Sequence, residues 1–366
     1  MRRSSCTRIP PREVESFLRG LPDVRLFPHH SDRRVRAIAL TDLYRAALAG
    51  LDFLVRFLGR HGITDHLLAI CADLETSLHP FLADNRRMRG NVARLARIHV
   101  AELEATPEPD SWDLYLLGSL SHAEPQLAPA VRRRSRRILE AIAERLRAAP
   151  GFDDGGVASV VIESFAASGT RPAVEPDAEE AWEHWLHQVV EARYAHDLGA
   201  QIDLDAFYAR TVADLVEIPF ARSYALELFN VMTHAAYGLS AYHRIALRDH
   251  AVANRLADHG LSLLRWWREQ GLYPDDPEIL AAFVDAFLKG TSRGYGSTPE
   301  FGSIVRLLLD TQGSDGGWHP NDGAGEGASE EMDLYPLYHP TWVCVDALRP
   351  VANDLLDPDN RRLGLV

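Results

Sequence analysis

Leu40, Leu43, Ala47, Leu51, Leu54 and Leu58 recur at intervals of three and four between positions 33 and 59, the spacing that gathers side chains on one stripe of an α-helix. The same period predicts helices over 63–82, 87–103, 127–148 and 182–196, then over 203–216, 219–249, 251–270, 277–289 and 299–311. Pro277 and Pro299 stand where a first-turn proline is tolerated, and Gly271 and Gly290 stand just past helix ends. Strand signals are poor, with 157–162 the only β-branched run. Residues 1–32 read as an arm leading into the first helices. Pro, Gly and Asp clusters punctuate 107–110, 149–156 and 169–177. The predicted fold class is all-α, made of helix hairpins, with an N-terminal helical region over 1–150, a linker over 151–177 and a C-terminal region over 178–366.

Two predicted helices carry polar residues in register. Across 219–249, Ser223, Glu227, Asn230, His234 and Tyr237 fall within a stripe about 80° wide at about 100° per residue. Apolar residues fill the rest of that circumference, among them Leu228, Phe229, Val231, Met232 and Ala235. A narrow polar stripe on an apolar cylinder needs a partner network or a cavity, because burying Glu227 and His234 unpaired costs several kcal/mol. On the helix over 182–196, Glu180, His184, His187 and Glu191 share a face, a spacing used for metal sites in bundles. Trp182, Trp185, Leu186 and Val189 lie opposite, so the apolar side is expected inward and the His/Glu side in water.

The run 132–137, RRRSRR, is the most basic stretch, and with Arg136 four residues before Glu140 it reads as a solvated helix face. Trp266 and Trp267 read as core. The segment 289–295, KGTSRGY, reads as a surface turn or an anion-binding corner. Near the C-terminus, Gln312-Gly313-Ser314-Asp315-Gly316-Gly317-Trp318 comes after an apolar run and opens onto a loop rich in Gly and acid, closing on Tyr338-His339-Pro340-Thr341-Trp342. A loop of that length, 311–338, suggests a lid or rim.

The Gln-x-x-Asp-Gly-Gly-Trp run resembles the repeat of the terpenoid cyclase and protein prenyltransferase superfamily, in which helix hairpins ring a central cavity as an α/α toroid. That resemblance implies a C-terminal toroid or partial toroid, with Gln312 and Trp318 structural. Positions 333–348, DLYPLYHPTWVCVDAL, look like the last hairpin of prenyltransferase β subunits, whose His is a zinc ligand and would correspond to His339. The Asp-x-Asp-Asp acid motif of the class II cyclases and the Asp-x-Cys pair of the prenyltransferase zinc site are not found. The reaction is left open.

Composition narrows the partners. The chain has 366 residues with 46% hydrophobic content, enough for a substantial core. A net charge of −13 argues against nucleic acid, whose phosphates call for a basic surface. Three cysteines without metal or disulfide spacing suit a reducing cytoplasm, and neither a secretory signal nor an 18-residue apolar stretch is visible.

The leading function is an enzyme that encloses a small, largely apolar, isoprenoid-like substrate in a helix-lined cavity and works by acid/base or cyclisation chemistry. Asp333, His339, His234 and Glu227 are the candidate catalytic groups; Asn230, Tyr237, Trp342 and Tyr338 would contact substrate. One alternative is a non-catalytic helical scaffold or ligand-binding protein. Another is a metal-dependent enzyme using His339 and helix 219–249, a divalent metal being the cofactor the pattern admits. Helix 219–249 and the 333–339 turn are expected to face one cavity. The oligomeric state is not legible.

Overall fold

The computed structural model describes residues 11–61, 176–197, 203–240, 251–272, 276–288, 299–319 and 335–356. The helices expected over 63–82, 87–103 and 127–148 lie outside them, as do the basic run at 132–137, segment 289–295 and most of the loop over 311–338. Among the described residues the chain is all-α: α1 (Pro11–Gly20), α2 (Arg33–Arg36), α3 (Leu40–His61), α4 (Pro176–Asp197), α5 (Leu204–Leu215), α6 (Ala225–Leu239), α7 (Ala251–Glu269), α8 (Pro277–Phe283), α9 (Pro299–Thr311) and α10 (Tyr335–Leu356). α8 runs on into a π-helical turn, Val284–Leu288. Extended backbone among these residues pairs in a single bridge, Arg25 with Ala39. No described helix is long and apolar enough to cross a membrane.

The chain divides into two compact units. The first holds α1–α3, α8, α9 and α10; the second holds α4–α7. The expected linker, apart from its last two residues at the start of α4, lies outside the described residues.

In the first unit α3 packs along α10, and Gly50 marks the approach. A Cβ there would lie 2.5 Å from Val345 Cγ2 and 2.9 Å from the Trp318 ring. The predicted stripe is the buried face: Leu40, Leu43, Ala47, Leu51 and Leu54 are all interior. The helix expected over 33–59 is interrupted, however. Leu26 N–H donates to Ile38 O and Leu40 N–H to Val24 O, which draws 37–39 out of helical geometry and splits α2 from α3. The same bonds make 21–32 a packed segment rather than an arm, with Leu26 and Phe27 buried.

In the second unit α4 packs on α6, and α5 leans on α6 and α7. Trp182, Trp185 and Val189 are buried on α4 while Glu183 is exposed, as the amphipathic pattern requires. Asp203 caps α5 by accepting from Ala206 N–H at 3.0 Å. α7 ends where expected: Gly271 takes φ +64, with Gly271 N–H to Arg268 O and Leu272 N–H to Trp267 O closing the last turn. The helix expected over 219–249 begins six residues late. Proline lacks an N–H, and the Tyr224 hydroxyl donates back to Pro219 O, so 219–224 is a turn and α6 starts at Ala225.

Candidate active site

The Gln-x-x-Asp-Gly-Gly-Trp segment is a docking turn that bridges α3 and α10. Gln312 Nε2 donates to Ala46 O at 2.8 Å and to Gly316 O at 2.9 Å, so both amide hydrogens are used. Gly316 has φ +89 and lies against the Ala49 carbonyl, 2.6 Å from where a Cβ would stand; only glycine suits both demands. Trp318 is fully buried. Its Nε1–H donates to Leu308 O at 2.7 Å, and its backbone N–H to Thr341 Oγ1 at 2.8 Å. The Thr341 hydroxyl in turn donates to Trp318 O at 3.1 Å. Two reciprocal bonds thus tie the turn to α10 beside His339.

His339 meets a carboxylate that the sequence did not suggest for it. Its Nδ1 lies 2.7 Å from Glu278 Oε1, across 61 residues of chain. A carboxylate accepts, so Nδ1–H is the donor, and in the neutral ring the lone pair sits on Nε2. Glu278 is anchored at the start of α8, where its backbone N–H donates to the Asp276 side chain at 2.8 Å. Both side chains are largely enclosed, at 17% and 31% exposure. One turn along α10, the Trp342 ring stands edge-on to His339 with centroids 5.5 Å apart. Tyr338, also proposed as a substrate contact, is buried against Phe57 of α3. The π turn after α8 carries Asp285, a buried acid, and packs against α10. Such turns recur at functional sites.

Cys344 completes the seam between α8 and α10. Its thiol donates to Pro277 O at 3.5 Å. Burial, then the charges of Glu278 and Asp276, push that thiol well up, so it stays protonated. Among the described residues no group of three His, Cys, Asp or Glu side chains is placed to hold a metal. The zinc role implied for His339 finds no complete donor set among the described residues, and Asp333 lies outside them.

The polar stripe of α6 belongs to the second unit. Glu227, Asn230, His234 and Tyr237 are half-buried, whereas Ser223 precedes the helix and is exposed. His234 Nδ1 donates to Asn230 O at 2.7 Å, which again leaves the neutral ring's lone pair on Nε2, and Tyr237 stands edge-on at 5.9 Å. His234 and His339 therefore fall in different units. On α4, the side chains of Glu180, His184 and Glu191 lie outside what is described, and His187 is half-exposed.

The histidines divide by what their nitrogens do. His30 uses both for structure, accepting from Asp32 N–H through Nδ1 and donating to Pro299 O through Nε2. His339 differs in having a carboxylate orienter and an indole neighbour. Glu278 was legible only as the first-turn acid of a predicted helix, since nothing in the spacing pairs it with position 339.

No protein-family model matches the chain, and neither a curated protein nor a solved structure is similar to it. The likeness to the toroid superfamily thus rests on the quoted residues alone.

Proposed function

We propose that this chain is an enzyme that transfers protons to or from a small, largely apolar substrate, with His339 as the acid/base and Glu278 as its orienting partner. The pair at 2.7 Å carries the proposal. A carboxylate holding Nδ1–H selects the tautomer whose Nε2 accepts a proton, and it fixes the ring's orientation. The partly enclosed surroundings of both groups support it, as a hydrogen bond is stronger away from bulk water. The acid/base work is assigned to the α8–α10 seam, so His234 and Glu227 of the other unit are not needed for it. The docking turn built on Gln312 and Trp318 is what the toroid resemblance implies, and it supports an isoprenoid-like substrate and a toroid-like arrangement of hairpins. The low cysteine count and acidic balance support a cytoplasmic setting.

The test incubates the full chain in deuterated water with short isoprenoid alcohols, aldehydes, ketones and hydrocarbons, reading deuterium uptake or product mass. His339→Gln is expected to lower the rate by roughly 10²–10⁴, the usual range for losing a general acid/base. Glu278→Gln is expected to lower it less and to move the pH profile. Equal rates in wild type and His339→Gln would overturn the assignment.

A further inference from the structure

The α8–α10 seam contains a donor with no acceptor for its proton among the described residues. Trp342 is 8% exposed, and its Nε1 is buried there without a partner. The other tryptophan of this hairpin, Trp318, spends its Nε1–H on Leu308 O. Folds seldom leave such a donor dry, so an unpaired one asks for a missing acceptor. The Trp342 and His339 rings stand perpendicular with centroids 5.5 Å apart, which keeps the indole in the neighbourhood of the group that moves protons.

The surroundings of that donor set the chemistry of its acceptor. An indole N–H only donates, so the ligand atom must carry a lone pair. The field of the seam is negative: Glu278 and Asp276 both act on the Cys344 thiol, holding its proton on. An anionic carboxylate or diphosphate brought there would meet like charge, whereas a neutral oxygen would not. The buried side chains of α8, which packs on α10, are apolar, Leu280 and Phe283 among them, and this favours an otherwise apolar ligand.

We propose that Trp342 Nε1–H binds the carbonyl oxygen of an uncharged, otherwise apolar ketone or aldehyde, presenting it to His339. This rests on the acid/base role given to His339 and adds the substrate's functional group. A carbonyl polarised by the indole has more acidic neighbouring C–H bonds, which is where a base such as His339 acts.

The test records proton–nitrogen correlation spectra of the full, nitrogen-labelled chain, with the Trp342 indole signal assigned by its loss in Trp342→Phe. Three probes of one shape are titrated: cyclohexanone, methylenecyclohexane and cyclohexanecarboxylate. Cyclohexanone is expected to move the Trp342 signal and to bind wild type roughly five- to tenfold tighter than Trp342→Phe, the worth of one neutral hydrogen bond. Methylenecyclohexane should bind both alike, and the carboxylate should bind most weakly. An indole signal unmoved by the ketone, equal ketone affinity in Trp342→Phe, or a carboxylate that binds as tightly as the ketone would each overturn the proposal. Should Trp342→Phe fail to fold, the ketone and alkene shifts in wild type decide alone. His339→Gln separates the two ideas: it should keep the ketone-induced shift while losing proton transfer. Proton transfer surviving in that variant defeats the role of His339 and leaves the carbonyl site standing.

Discussion

The side-chain amide of Gln312 donates to the main-chain carbonyl of Ala46 at 2.8 Å, joining positions 266 residues apart. Through this bond the glycine-rich turn before α10 is held on α3, and the N-terminal part of the chain gains a role in supporting the C-terminal hairpin. Arg56 reinforces the contact from the other side, donating to Asp315 O while ion-paired with Asp52 on the same helix.

Trp318 is the centre of that contact, and its removal should be felt by the whole first unit. Trp318→Ala is expected to cost about 3–5 kcal/mol, the range for truncating a buried large aromatic. Gln312→Ala should cost less, about 1–3 kcal/mol, by leaving largely enclosed carbonyls unpaired. Thermal or urea melts of the two variants check both; a wild-type melting curve for Trp318→Ala would show the turn to be dispensable.

In the second unit the close approach is at Gly238 of α6. A Cβ built there would stand 1.9 Å from the Tyr208 hydroxyl, which is itself held at 2.9 Å from Val189 O. Gly238→Ala is therefore expected to destabilise by about 1–3 kcal/mol through overpacking. Adding Tyr208→Leu should make the glycine substitution nearly neutral. Additive losses in the double variant would mean that Tyr208 is not what Gly238 accommodates.

His259 of α7 makes the fold sensitive to mild acid. Its ring lies 4.8 Å from Phe220, and its Nε2 is buried with no acceptor or donor among the described residues. Burial first, and the Arg255 guanidinium second, lower its pKa, with Glu217 opposing. The unfolded chain then takes up the proton more readily than the folded one. Stability from this group is complete above the unfolded value of about 6.5 and declines as pH falls through it. Urea midpoints at about pH 7.5 and about pH 5.5 should differ less in His259→Leu than in wild type. An unchanged pH slope in the variant would place the acid sensitivity elsewhere.

Asp315 works in the opposite direction. Burial raises its pKa, but the Gly317 N–H and His319 outweigh that, and the net shift is downward. Its contribution is present above the unfolded carboxylate value of about 3.9 and is lost as pH falls through the lower folded one. Asp315→Asn should keep the turn but flatten the stability curve in strong acid, read by circular dichroism. A curve as steep as wild type would show that His319 and Gly317 do not hold this charge.

A net charge of −13 leaves little for a phosphate backbone to bind. The full chain is expected to pass unretained through a DNA column at low salt. Retention that salt reverses would point to a basic surface hidden in the overall balance.

Helix type, the buried faces of α3 and α4, the first-turn prolines Pro277 and Pro299 and the stop at Gly271 were legible from the sequence. Each depends on residues within a few positions of one another, where period and cap chemistry act directly. The structural part played by Gln312 and Trp318 was an implication of the resemblance, and their hydrogen bonds within the docking turn agree with it. What the spacing alone did not supply were the break at 37–39, the late start of α6 and the partners of the turn. Those were decided by bonds to distant or competing backbone groups: Val24 and Ile38, Pro219, and Ala46. The candidate site lay between these extremes. His339 and Trp342 stood out in the quoted C-terminal stretch, but Glu278 reaches His339 only because α8 and α10 pack together, and it took tertiary structure to make a histidine and a first-turn acid into a pair.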